Sequence, residues 1–344
     1  MRSLLRAIER EHVLSDGLLR AVISPLRHGF ALRAGPLLGW AGVDGADEID
    51  KAGVSVRISR PSVQEELPLL LDSPHSGTWY PSDFRSSADM RLLRKAEDTH
   101  VEKLFASSLA QGATLIEALF PRSYIDCNRE RGDIDVALLA DPNGLRSTMK
   151  VAPSPKCALG KGLIWRLLDD GTPVYDRLLT TAEVESRVTG CYDAYHAVLN
   201  ESVDRLYRRF GALWHINCHS MPSRSERLTT DRPGLVHPDV VIGDRDGSTC
   251  ATEFREFVAA HFKRCGYSVW INDPYKGVAI VDAVGAPSMG RHSLQLELNR
   301  RLYMDEESLE PSINFTQVCR DIEALMISLR AFIKDRLPRS TRAA

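Results

Sequence analysis

Trp214-His215-Ile216-Asn217-Cys218-His219-Ser220 reads as a β-strand with two unlike faces. Side chains alternate along a strand, so His215, Asn217 and His219 share one face, and Trp214, Ile216 and Cys218 share the other. A histidine in a strand is often a packed, hydrogen-bonded side chain. His219 is the better ligand candidate of the two, because it stands at the end of the strand and His215 stands within it. The fold follows from what flanks this stretch. Short β-rich runs are expected at Val54–Ser59, Leu67–Leu71, Thr114–Ala118, Tyr124–Cys127, Ala212–Cys218, Val240–Ile242, Tyr267–Ile271, Val278–Val281 and Leu294–Leu298. Longer helical patterns are expected at Met90–Gln111, Thr181–Phe210, Thr249–Cys265 and Ser312–Leu337. The last has an apolar stripe at Val318, Ile322, Leu325, Leu329 and Phe332, with the spacing of one helix face. This alternation predicts an α/β sandwich on a mixed, mostly parallel sheet. Asp141–Gly162, rich in Pro, Gly and Ser, reads as a loop.

Polar residues gather where the expected strands end: Ser73–Gly77, Asn128-Arg129, His219-Ser220 and Glu297. Open α/β sheets bind ligands outside the carboxyl ends of their strands. His75 stands on a tight turn after an apolar run, and histidine is the commonest metal ligand. Catalytic zinc takes three protein ligands of this kind and keeps a position for water. Glu97, Asp98, His100 and Glu102 are all chemically suitable as a third ligand, and spacing does not choose among them. Asn128 and Arg129 suit a carboxylate, which a guanidinium grips with two hydrogen bonds. Glu297 lies between Leu296 and Leu298. A glutamate buried there must pair with a cation or serve as a general base.

The composition is that of a soluble globular protein: 43% hydrophobic, 26% charged, net charge −2. The balance argues against nucleic acid or an anionic membrane as the main partner. Seven cysteines without a C-x-x-C pair argue against a disulfide framework and a cysteine zinc site, and suit a reducing cytoplasm. No apolar run has the roughly 18–20 residues that a membrane span needs. Residues 1–53 differ in composition, with Arg2, Arg6 and Arg10 in an amphipathic pattern, and read as an extension outside a catalytic domain at 54–338, with a tail at 339–344. HExxH, GxSxG and P-loop motifs are absent.

Taken together, SPHSG, YPSDF, EDTHVEKLF, PRSYIDCNR, GKGLIWR, HINCHSMPS, DVVIGDRDGSTC, NDPYKG and LQLELNRRLYMDE resemble, in this order, the N-formylglutamate amidohydrolase family, which is similar to zinc carboxypeptidases and aspartoacylase-like deacylases. The resemblance implies a three-layer α/β/α sandwich and one zinc ion per chain, held by His75, Asp98 and His219. Relatives with an H-x-x-E motif place their carboxylate three residues after the first histidine, where this chain has Thr78. The resemblance further implies Glu297 as general base, Arg122 as oxyanion stabiliser, and Asn128 and Arg129 of a D-x-N-R element as holders of the substrate carboxylate. Tyr275, Lys276 and Arg291 are further candidates for substrate contact. The implied reaction is hydrolysis of N-formyl-L-glutamate to formate and glutamate in histidine breakdown, by a monomer or small homo-oligomer. The alternatives are a deacylase or carboxypeptidase-like enzyme for another N-acyl amino acid or short peptide, a metal-free hydrolase using Ser76 or Ser220, and a non-catalytic binding protein.

Overall fold

The strand carrying both histidines, Leu213–Met221, is buried at every residue and lies at the middle of a seven-stranded sheet. The computed structural model describes residues 55–229 and 232–337. The proposed extension at 1–53 and the tail at 339–344 lie outside the described residues. In chain order the strands are β1 (Val56–Ser59), β2 (Leu69–Ser73), β3 (Thr114–Ala118), β4 (Leu213–Met221), β5 (Val240–Gly243), β6 (Val269–Ile271) and β7 (Arg291–Asn299), and in space they run β1-β3-β2-β4-β7-β5-β6. The pairs β3–β2, β2–β4, β4–β7 and β5–β6 are parallel, whereas β1–β3 and β5–β7 are antiparallel. The fold is the mixed, mostly parallel α/β sheet expected.

Helices cover both faces. On one, helix Ala194–Phe210 packs against β1 to β4 and delivers the Tyr195 hydroxyl to Asp72 of β2, 2.5 Å away. Asp72 also meets His215, so the histidine face of β4 looks toward this layer. On the other face Trp214 meets Phe332 of helix Phe315–Arg336, which packs against helix Thr252–Arg264 and the segment around 101–111. Parallel sheets covered on both sides are usually apolar throughout. Here β4 and β7 bury His215, Asn217, His219, Ser293, Gln295 and Glu297 instead. Among the described residues no helix is long and apolar enough to cross a membrane.

Four segments differ from their sequence reading. Tyr124–Cys127 is a turn rather than a strand: the N–H groups of Tyr124 and Ile125 reach back to Pro121 O, and the Asp126 carboxylate accepts from Asn128 N at 2.9 Å. Such side-chain-to-backbone bonds favour turns over ladders. Val278–Val281 opens the short helix Ala279–Val284, since a short buried apolar run does not distinguish strand from helix. Asp141–Gly162 holds two short helices, Pro142–Thr148 and Pro155–Ala158, each capped by the preceding Asp141 or Ser154 and each started by proline. The helical stretch Met90–Gln111 breaks into Met90–Lys95, Val101–Leu104 and a 3₁₀ turn at Ala106–Gln111, with His100 at φ 71°. Within the break, Asp98 N bonds His75 O at 3.0 Å, which draws Asp98 to the end of β2.

The helical run from Thr181 to Phe210 is continuous but contains a π turn, Val188–Asp193. Around it Arg187 Nη1, His196 Nε2 and Tyr192 Oη reach the carbonyls of Tyr124, Cys127 and Arg129, at 3.3, 2.9 and 2.9 Å. Gly77 closes the turn after His75: a Cβ there would lie 2.3 Å from the Leu119 carbonyl carbon, so only glycine lets the two backbones meet.

Candidate metal centre

Three buried side chains from distant segments converge at the carboxyl ends of β2 and β4. His75, Asp98 and His219 offer ligand atoms that all lie within 4.8 Å of one another. Asp98 Oδ2 is 2.9 Å from His219 Nδ1 and 3.5 Å from His75 Nδ1. His75 Nδ1 is buried without a hydrogen-bond partner. An orphaned buried nitrogen costs the full desolvation of that group, and a bound cation removes that cost. Two imidazoles and one carboxylate form a donor set typical of catalytic zinc.

The surroundings fix the orientation of His75 and Asp98. His75 Nε2 lies 2.6 Å from Asp126 Oδ1, the carboxylate–histidine pairing that orients metal-bound imidazoles. Asp98 turns Oδ2 inward, while its Oδ1 meets Arg300 Nη2 at 3.2 Å and Arg122 Nη1 at 3.6 Å. Burial raises the pKa of Asp98, yet the bond to His219, the nearby His75 imidazole and the charge of Arg122 outweigh it and hold the carboxyl well below its usual range. Asp126, also fully buried, is likewise held well below that range by His75, Arg129 and Arg122.

Glu297 faces the cluster from the next strand, as the register partner of His219. Gln295 Nε2 donates to its Oε1 at 2.7 Å. Burial raises its pKa, His219 lowers it and Asp98 raises it again, with the net shift upward. A cavity of about 350 Å³ opens onto His75, His219 and Glu297, a size ordinary for a small ligand. Its wall is mixed in charge: Arg122, Arg129, Lys161, Arg300, Lys95 and Lys156 line it together with Asp169, Asp170, Glu226 and Glu307. Arg122 lies 5.0 Å over the Trp165 ring and bonds Asp126 at 3.1 Å, so its guanidinium is fixed in place. Arg129 spends Nε on Lys161 O at 3.1 Å and Nη1 on Asn128 O at 3.0 Å. Asn128 is engaged within the protein: its Nδ2 donates to Asn217 Oδ1 at 3.1 Å and its Oδ1 accepts from Ile280 N at 3.1 Å.

The other candidates fall elsewhere. Tyr275 lines the cavity, but its neighbour Lys276 pairs with Asp246 at 2.8 Å, both largely exposed and outside the wall. Arg291 begins β7, six residues and about 20 Å of strand before Glu297, at the far end of the sheet. Glu97 accepts from Tyr80 Oη at 2.5 Å and Arg94 Nε at 3.2 Å, and His100 Nε2 meets Leu309 O at 2.9 Å. Ser76 Oγ pairs with Ser73 Oγ and Ser220 Oγ accepts from Arg300, so neither hydroxyl shows the imidazole contact that a serine nucleophile needs. Arg300, paired with Asp98, and Lys161, paired with Asp169, also line the cavity, and the sequence reading assigns neither a role. The signal was present in Arg300, the first residue after the strand bearing Glu297.

Glu102 also misses the cluster, with Oε2 buried and unbonded. Burial raises its carboxyl from 4.5 to about 7, its own backbone N–H opposes the rise, and Glu117 adds to it. The folded chain therefore keeps a proton there that the unfolded chain releases, so the stability this group contributes falls as pH rises from about 4.5 to about 7. Glu102→Gln is expected to raise the melting temperature at pH 8 and to change it little at pH 4. Thermal unfolding at both pH values checks this; an unchanged or lower Tm at pH 8 contradicts it.

Residues 67–304 match the family model for N-formylglutamate amidohydrolase. The crystal structure of N-formylglutamate amidohydrolase from Ralstonia eutropha JMP134 is 43% identical with a TM-score of 0.76, covering 82% of this chain and 99% of that one. N-formylglutamate deformylases of Pseudomonas aeruginosa and Pseudomonas putida are 29% and 27% identical, over 70% and 71% of this chain and 84% of each relative. A gene product of Agrobacterium tumefaciens, 17% identical with a TM-score of 0.55, covers 81% of this chain and 96% of its own and shares the fold. With residues 67–304 matched to the family model and 82% of the chain matched in fold at 43% identity, the chain belongs to the N-formylglutamate amidohydrolase family and is a hydrolase.

Proposed function

We propose that this chain hydrolyses N-formyl-L-glutamate to formate and L-glutamate with one zinc ion held by His75, Asp98 and His219. The observation that carries the proposal is the convergence of three buried ligand atoms, one of them an orphaned imidazole nitrogen, beside a buried glutamate. Relatives at 27–29% identity bear the name N-formylglutamate deformylase, which supports this substrate. The cavity supports it as well, because the guanidinium groups of Arg122 and Arg129 in its wall suit a substrate that carries carboxylates.

A zinc ion in such a donor set polarises the amide carbonyl and lowers the pKa of water toward about 7. The remaining roles belong to this chain. Glu297 takes the proton of the attacking water, whose oxygen bonds the formyl carbon. It returns that proton to the amine nitrogen as the C–N bond breaks. Arg122, pinned by Asp126 and Trp165, faces the negative charge that develops on the formyl oxygen. Arg129 grips a substrate carboxylate and so positions the scissile bond.

The test is a hydrolysis screen of N-formyl, N-acetyl and N-succinyl amino acids with and without chelator. N-formylglutamate is expected to be cleaved fastest, with activity lost on chelation and restored by zinc. Full activity in protein shown to be free of metal overturns the metal reading, and a faster N-acetyl or N-succinyl substrate overturns the formyl assignment.

A further inference from the structure

Behind His219 lies a polar network that reaches no solvent. His219 Nε2 is 2.7 Å from Asn217 Oδ1. The Asn217 Nδ2 group donates to both carboxylate oxygens of Asp72, at 2.9 and 3.0 Å. Asp72 accepts in addition from Tyr195 Oη at 2.5 Å and from His215 Nε2 at 2.8 Å, and His215 Nδ1 continues to Ser293 Oγ at 2.7 Å. Asp72, Tyr195, His215, Asn217 and Ser293 are all 0% exposed. A buried carboxylate is costly unless every lone pair has a donor, and no lysine or arginine pairs with Asp72 among the described residues. The chemistry of these contacts gives a reason for an acid at this position.

An asparagine amide has one donating and one accepting end. A carboxylate only accepts, so Asp72 forces the Nδ2 end of Asn217 toward itself and the Oδ1 end toward His219. With Oδ1 facing it, His219 carries its proton on Nε2 and leaves the Nδ1 lone pair free at the cluster. The opposite amide orientation reverses this. Asn128 Nδ2, 3.0 Å from His219 Nε2, donates to Asn217 Oδ1 at 3.1 Å, so in the observed orientation that oxygen is the acceptor for both neighbours. A flipped Asn217 would present a second donor there, and His219 would then keep its proton on Nδ1, aimed at Asp98 Oδ2.

We infer that Asp72 is a positioning residue that sets, through the Asn217 amide, the imidazole tautomer in which His219 can ligate a cation. The inference rests on the metal reading above and can fail separately from it. Asp72→Asn is nearly isosteric, and it allows Asn217 to turn over. It is expected to weaken zinc binding about 10–100-fold in competition with a chromophoric chelator, the range for removing an outer-shell partner. In the metal-free protein, nitrogen-15 spectra should show the His219 proton moving from Nε2 toward Nδ1. Ser293→Ala removes a bond on the far side of the same network. It should lower Tm while zinc affinity stays within about twofold, which separates orientation from general loosening.

Asn217→Leu covers the case in which Asp72→Asn does not fold. It removes the amide that links Asp72 to His219, so it should lose comparable affinity, and adding Asp72→Asn should then lose no more. Wild-type zinc affinity in either Asp72→Asn or Asn217→Leu overturns the inference. Absence of zinc binding by the wild-type chain overturns the metal reading instead.

Discussion

Glu297→Gln should lower kcat for N-formylglutamate by about 10²- to 10⁴-fold, the usual worth of a positioned general base, with zinc content unchanged. Glutamine keeps the size of the side chain and can still accept from Gln295 through its amide oxygen, so the strand and the facing His219 have no cause to move. What disappears is a group that can take a proton beside the cluster. Because the loss is confined to the transition state, kcat and kcat/KM should fall together and KM should stay near its original value. Steady-state kinetics with metal analysis of the same preparation checks both halves. Turnover within tenfold of the wild type removes Glu297 from the role.

Asp98→Ala should cost the metal and much of the fold's stability at once. The carboxylate is fully buried and faces four nitrogen groups: Oδ2 meets the two imidazoles, and Oδ1 meets Arg300 and Arg122. Arg122 keeps Asp126 as a partner, whereas Arg300 keeps Ser220 and the Lys95 carbonyl, neither of them charged. Removing one partner of a buried ion pair costs about 3–5 kcal/mol, because the other charge stays buried without compensation. A dication would have to bind among cations with no anion from this position. Zinc per chain should fall below detection and Tm should drop by several degrees. A variant that keeps one zinc ion and the original Tm would refute the assignment of Asp98.

The sheet was legible because burial writes a period of two into a strand. Thr114–Ala118 has its expected ends, Val240–Ile242 and Leu294–Leu298 lie within their strands, and Leu67–Leu71 overlaps β2 from Leu69 on. His75 and His219 were legible because each follows an apolar run where a strand stops. Asp98 was not separable from Glu97, His100 and Glu102, because the break that selects it has no punctuation. Ala96 to His100 contains neither glycine nor proline, and His100 takes its left-handed conformation without either. Lys276 and Arg291 show the converse limit. Their charge suited the chemistry, yet only tertiary placement tells the mouth of the sheet from its other end. Arg291 even shares a face with Glu297 by alternation, and the length of β7 separates them. The anchoring of Asn128 by Ile280 depends on a helix that the sequence suggested was a strand.

The π turn at Val188–Asp193 makes the cavity loop at 121–129 sensitive to chain length more than to residue identity. Each helical residue advances the chain by about 100°. Loss of one position from this turn would swing Tyr195 and His196 about a quarter of the way around the axis, away from Asp72 and the Cys127 carbonyl together. Arg187, ahead of the turn, would keep its grip on Tyr124. The loop bearing Arg122 and Arg129 would then be anchored at its start and loose at its end, although no residue facing the cavity had been altered.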